Sequence, residues 1–281
     1  MAKAITPSNF HFLWSRPLLV LLSGFLIWVL GLGLMLEPIA HASSITAWQL
    51  GDRCVVDLES DHYQEAVVDC DRAITLDPKN FIYHLNRGLA LYRQGNYSQA
   101  LMAIDVAVGL EGQDYQGYYN RGLVQVALHD FSAAISDFDQ ALALVSHVEN
   151  LPQVLVNIYD DRGLARLMNH QEAAAIADFD RALALDNTDI RALFNRGCAC
   201  HQMGHWAEAM KDLNQVLSLD PSHARTYLKR GLLRRSLGDE QGALADLQQA
   251  ADCARVQGQP YLYHHILTLM NAWQQPVVSI G

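Results

Sequence analysis

Residues 86–95 read NRGLALYRQG, and the fold is decided by the fact that this run returns. It recurs as NRGLVQVALH (120–129), DRGLARLMNH (161–170), NRGCACHQMG (195–204) and KRGLLRRSLG (229–238). With Gly88 as the marker, its counterparts are Gly122, Gly163, Gly197 and Gly231, at spacings of 34, 41, 34 and 34 residues. One further step back of 34 lands on Cys54, still preceded by an arginine, Arg53. A fixed period of this length is the signature of a repeat architecture.

The units agree at other positions. Twelve residues after each marker stands an alanine: Ala66, Ala100, Ala134, Ala175, Ala209 and Ala243. Nineteen after it stand Ala73, Ala107, Ala141, Ala182, Val216 and Ala250, and between the two small residues comes a larger apolar one, such as Ile104, Phe138 or Leu213. Apolar residues around each marker fall at helical spacing, as in Tyr118, Tyr119, Leu123 and Val126. Gly95, Gly204 and Gly238 suit a left-handed helix end. Pro78 and Pro221 cannot continue a helix. Each unit therefore predicts two helices, with small residues that let them approach closely.

These residues resemble the tetratricopeptide repeat family, a 34-residue helix–turn–helix with glycine, two alanines, an aromatic and a proline at these offsets, over roughly residues 47–255. The resemblance implies an all-α solenoid, a right-handed superhelix of about six units. Residues 256–281 supply a capping helix and tail, with Pro260–Trp273 aligning as a seventh first helix. The first helices carry tyrosine (Tyr118, Tyr159, Tyr227) where the family has tryptophan. Seven extra residues, near 146–153, explain the long interval and nearly preserve helical phase.

Paired aspartates such as Asp137/Asp139 and Asp178/Asp180 invite a catalytic reading. Two residues along a helix is about 200° of rotation, so neither pair converges on one substrate. Because they recur with the repeat, they are expected to be architectural. Their predicted companions are the arginines that precede the markers: Arg87, Arg121, Arg162, Arg196 and Arg230, with Arg53 in the first unit. A guanidinium between packed helices requires carboxylates.

Family members bind partners in a concave groove lined by first helices, at three before, one after and four after the marker. Carried onto this sequence, the groove consists of Leu85, Leu89 and Tyr92; Tyr119, Leu123 and Val126; Asp160, Leu164 and Leu167; Phe194, Cys198 and His201; Leu228, Leu232 and Arg235. Leucine follows four of the six markers, so this is not the lysine/asparagine clamp that chaperone adaptors use for a C-terminal carboxylate. An apolar groove suits an amphipathic helix or extended peptide. In the same fold Cys54 and Cys70 face each other across the first helix pair, either as a disulfide or as two small core hydrophobes.

The N-terminus is a separate element. Lys3 and Arg16 flank a start without acids, residues 17–36 carry no charge, and Ala40-His41-Ala42 matches a small-x-small cleavage site. Residues 1–42 thus predict a cleaved signal peptide or an uncleaved membrane anchor, with the repeats outside: in a periplasm, a lumen or the extracellular space.

A formal charge of −10 without a basic run excludes nucleic acid as the expected partner. No phosphate loop, nucleophile elbow or zinc-protease motif is present, so neither catalysis nor a cofactor is expected. Cys198, Cys200 and His201 lie in CACHQMGHW, whose Cys-x-Cys-His spacing is wrong for haem attachment. The expected function is a non-catalytic protein-binding scaffold, in assembly of an envelope or membrane complex. The alternatives are self-association and metal binding through Cys198, Cys200 and His201.

Overall fold

A computed structural model describes residues 45–145 and 151–274. The expected signal or anchor, including 17–36, and residues 146–150 of the insertion lie outside the described residues. Within them are thirteen α-helices and no strand: α1 Ala47–Glu59, α2 Tyr63–Leu76, α3 Phe81–Arg93, α4 Tyr97–Leu110, α5 Tyr115–Ala127, α6 Phe131–Val145, α7 Pro152–Met168, α8 Glu172–Leu185, α9 Ile190–Gln202, α10 Trp206–Leu219, α11 Ala224–Ser236, α12 Glu240–Val256 and α13 Pro260–Gln274.

Local chemistry sets the boundaries. Asn80, Asp114 and Asp189 cap α3, α5 and α9 by accepting backbone N–H groups of the first turn. Pro152 opens α7, where its missing N–H costs nothing. Seven residues past each marker the backbone turns left-handed in every unit: at Gly95, Gly204 and Gly238, but also at Asp61, His129 and His170. Glycine fits this conformation freely, and the other three tolerate it as turn residues.

Odd- and even-numbered helices pair within each unit, and each even helix packs on the next odd one. The residues at both small positions of the second helix, alanine everywhere except Val216, are buried in every unit, as are the intervening Ile104, Phe138, Phe179, Leu213 and Leu247. The marker glycine faces that large residue. A Cβ on Gly122 would lie 2.7 Å from Phe138, and one on Gly163 would lie 2.6 Å from Phe179. Gly122→Ala should therefore destabilise the protein by about 1–3 kcal/mol, through overpacking that outweighs the gain in helix propensity. Gly109→Ala, with open space around its Cβ, should be neutral or stabilising by up to about 1 kcal/mol. Urea unfolding midpoints of the two variants test the contrast.

In the first unit, Cys54 and Cys70 take the places of glycine and large residue, and a disulfide joins them with Cα atoms 5.5 Å apart. At the other end α13 packs on α12 and buries Ile266, while His264, His265 and Thr268 face solvent. Tyr261 is exposed, unlike the half-buried Tyr227 with which it aligns, and α12 runs three residues further past its marker than α10 does. A polar outer face is what a terminal helix needs to close a solenoid.

Candidate functional site: the inner face

From α1 to α11 each odd helix also touches the next odd helix, whereas among the described residues no two even helices share comparable contacts. The odd layer is therefore the shorter arc, and it lines the inside of the superhelix.

Side chains proposed for the groove lie at three depths. Leu85, Leu89, Tyr119, Leu123, Asp160 and Leu228 are buried, because the neighbouring odd helix covers them. Tyr92, Val126, Leu164, Leu167, Phe194, Cys198, His201 and Leu232 are half-buried and form the accessible floor. Arg235 is exposed and stacks over Trp273 of the cap, 4.1 Å from the ring centroid. Burial pushes the Tyr92 hydroxyl up to about 12, so it meets a ligand as a neutral donor and acceptor.

Arginines before the markers point the other way, toward the second helices. Arg121 grips Asp137 of its own unit through Nε and Nη2 at 2.7 and 2.8 Å, and reaches Asp105 of the previous unit through Nη1 at 3.0 Å. Arg196 does the same with Asp212 and Asp180. Arg230 does so with Asp246, and with Asn214 in place of the second acid. Arg87 reaches only backward, to Asp71, since Ala103 replaces the acid of its own unit. Arg162 holds Asp178 at 2.8 and 2.5 Å and Asp139 at 2.5 Å; Arg166 and Arg181 also contact Asp178. The forked guanidinium suits two carboxylates at once. These rows tie unit to unit from behind the inner face and leave it free.

At the centre of the inner face a polar cluster interrupts the apolar floor. The Tyr119 hydroxyl donates to Asp161 Oδ2 at 2.7 Å, linking α5 to α7. Asn195 Nδ2 on α9 donates to Asp160 Oδ1 at 3.0 Å. Arg191 Nη2 donates to Asp161 Oδ1 and lies 2.7 Å from Asp160 Oδ2, although no N–H aligns with that second oxygen. Burial pushes Asp160 up to about 7; Arg191 opposes the shift and Asp161 adds to it. Raised in the folded state above its unfolded value, Asp160 contributes stability that is complete below about pH 4 and is lost as the pH rises to about 7. Asp160→Asn should flatten this decline, which melting temperatures of both proteins across that range would show.

The Cys-x-Cys-His run does not gather. Cys200 is packed with Ala209, Leu213 and Leu233, apart from the half-buried Cys198 and His201. Among the described residues no three metal-ligating side chains come together.

Family models for the tetratricopeptide repeat match residues 190–223 and residues 58–95, one in the fifth unit and one spanning the first turn to the second. The chain is a tetratricopeptide-repeat protein. No curated protein matches it. Among solved structures, this tetratricopeptide-repeat chain is similar to YrrB, described as having an unusual peptide-binding site. The match has 24% identity and a TM-score of 0.54, over 71% of this chain and 97% of that one. It is also similar to PilW, a type IV pilus biogenesis factor, at 18% identity and a TM-score of 0.67, over 79% and 98% of the two chains. Pseudomonas aeruginosa pilF matches at 15% identity and a TM-score of 0.64, over 79% and 97%. At these identities the likeness is one of fold. Tetratricopeptide-repeat proteins are interaction modules, and that class is what the family carries to this chain.

Proposed function

We propose that this protein is a non-catalytic scaffold whose inner face holds a helical or extended segment of another protein, in the assembly of an envelope or membrane complex. The observation that carries the reading is the half-buried floor of Tyr92, Val126, Leu164, Leu167, Phe194 and Leu232. These apolar side chains lie on successive inner helices, with no further layer of this chain over them among the described residues. Such a stripe suits the alternate side chains of an extended peptide or the apolar face of a helix. Asn86 Nδ2 and Asn120 Oδ1, at one position of consecutive inner helices, are buried without a hydrogen-bond partner, and a bound main chain could offer them one.

The envelope setting is supported by the apolar stretch at 17–36 and by likeness to PilW, a type IV pilus biogenesis factor. Among the described residues no helix is long and apolar enough to cross a membrane. Export or tethering therefore rests on the N-terminal segment alone.

The test is co-purification with the full chain beside a Leu164→Glu/Leu232→Glu variant. Both leucines are half-buried, so the fold survives, which circular dichroism would verify. Leu123 is buried, and a glutamate there would confound binding with unfolding. A partner held by the native protein and lost by the helical variant supports the reading. Equal retention by both overturns it.

A further inference from the structure

We propose that the C-terminal third of the inner face, built on α11, is a docking site for a segment of a partner protein rich in acidic and apolar residues. Arg225, Lys229 and Arg235 would receive its carboxylates. This rests on the groove reading above and adds the chemistry of the partner.

In a chain of net charge −10, α11 carries five basic residues and no acid. Two of them look away from the groove: Arg230 grips Asp246, and Arg234 lies 3.0 Å from the same carboxylate. Around the other three, Arg225, Lys229 and Arg235, the described residues place no carboxylate within ion-pairing distance.

The repeat shows why they are left without one. Arg191 stands six residues before its marker and reaches back to Asp160 and Asp161 on the preceding inner helix. Arg225 stands at the same offset one unit later. The corresponding positions of α9 hold Phe194 and Asn195, which carry no charge. Lys229 likewise stands where Asn195 does in its own unit, and Asn195 donates to Asp160; its counterpart target is Phe194. The arrangement that neutralises Arg191 is thus repeated in its cations and omitted in its anions.

The charge is felt locally: Lys229 lowers the Cys198 thiol against the dominant upward push of burial, and adds to the burial that lowers His201. The cations are also accessible. Arg225 and Arg235 are exposed, and Lys229 is half-buried. Phe194, Leu232 and Trp273 lie among them as half-buried apolar anchors, and Arg235 already stacks on Trp273. Charge complementarity of this kind selects acidic partners and makes association sensitive to salt.

The experiment is selection of a displayed random-peptide library on the full chain, followed by fluorescence anisotropy of the selected peptides. The expected peptides are enriched in Asp and Glu beside Leu or Phe. They should bind about tenfold more weakly to Arg225→Gln/Lys229→Gln, and more weakly in high salt. Binding to Arg255→Gln, on the second helix of the last unit, should be unchanged. Acid-free peptides that bind the double variant as well as the native chain, yet are lost by Leu164→Glu, overturn this inference and leave the groove reading standing. A library that yields no binder overturns both. Retention of the chain by phosphatidylglycerol vesicles with no peptide selected assigns the cations to a membrane and overturns the inference.

Discussion

Asp178→Ala should lower the stability of the α7–α8 pair by about 3–5 kcal/mol, the loss expected when one partner of a buried ion pair is removed. Asp178 has no exposure to solvent and accepts from Arg162, Arg166 and Arg181. Without it, Arg162, itself buried, keeps only Asp139. Asp139 contacts the same guanidinium but is about half exposed, with 51% of its side-chain surface open to solvent. Removing Asp139 should cost within about 1 kcal/mol, because water already screens that pair. The readout is hydrogen exchange of the α7 and α8 amides: a repeat array opens locally, so a single global melting temperature averages over units. Equal losses for the two aspartates would show that burial does not set the strength of these pairs.

Cys54→Ala/Cys70→Ala should destabilise the first unit by about 3 kcal/mol, the loop-closure contribution for a 16-residue separation. The effect concentrates there because α1 has no preceding helix among the described residues. Val56 shows the exposure directly: it is 57% exposed, whereas Ala90, its counterpart one unit on, is fully buried. Proteolysis near residues 45–62 should accelerate, while protection from α7 onward should stay unchanged. Reduction of the native protein should reproduce the pattern. A uniform loss of protection along the array would mean that the units unfold together and that the strap is not local.

The fold was legible because its determinants recur. A glycine facing a large residue sixteen positions later, with alanines on either side, is one packing solution written several times over. The period reveals it without any knowledge of contacts. The arginine row is legible for the same reason: an arginine beside each marker implies an acid on the facing helix. The depth of the groove side chains was not legible. An offset from the marker fixes the direction in which Leu85 or Leu123 points, but their burial depends on how closely consecutive inner helices approach. Asp160 shows the difference most clearly, since it is buried under Arg191 and Asn195. The cluster of Tyr119, Asp161 and Arg191 was missed because its members do not recur together: the place of Arg191 returns at Arg225 and that of Asp161 at Asp52, each without the others. Its one signal is a departure from the commonest residue: Asp161 stands where three other units have Asn86, Asn120 and Asn195.

The arginine ties also act as a ruler. Arg121 joins the residues sixteen places ahead and sixteen places behind, as do Arg196 and Arg230. Arg162 keeps the forward sixteen, but its backward reach is 23, which is sixteen plus the seven inserted residues. The bond survives a change of loop length, because the facing helices restore its geometry. Whole modules of this chain are therefore interchangeable at their seams. Removing the 34 residues between two markers brings the same side chains back into register and shortens the inner surface by one step, so the span available to a partner can be lengthened or trimmed in discrete increments.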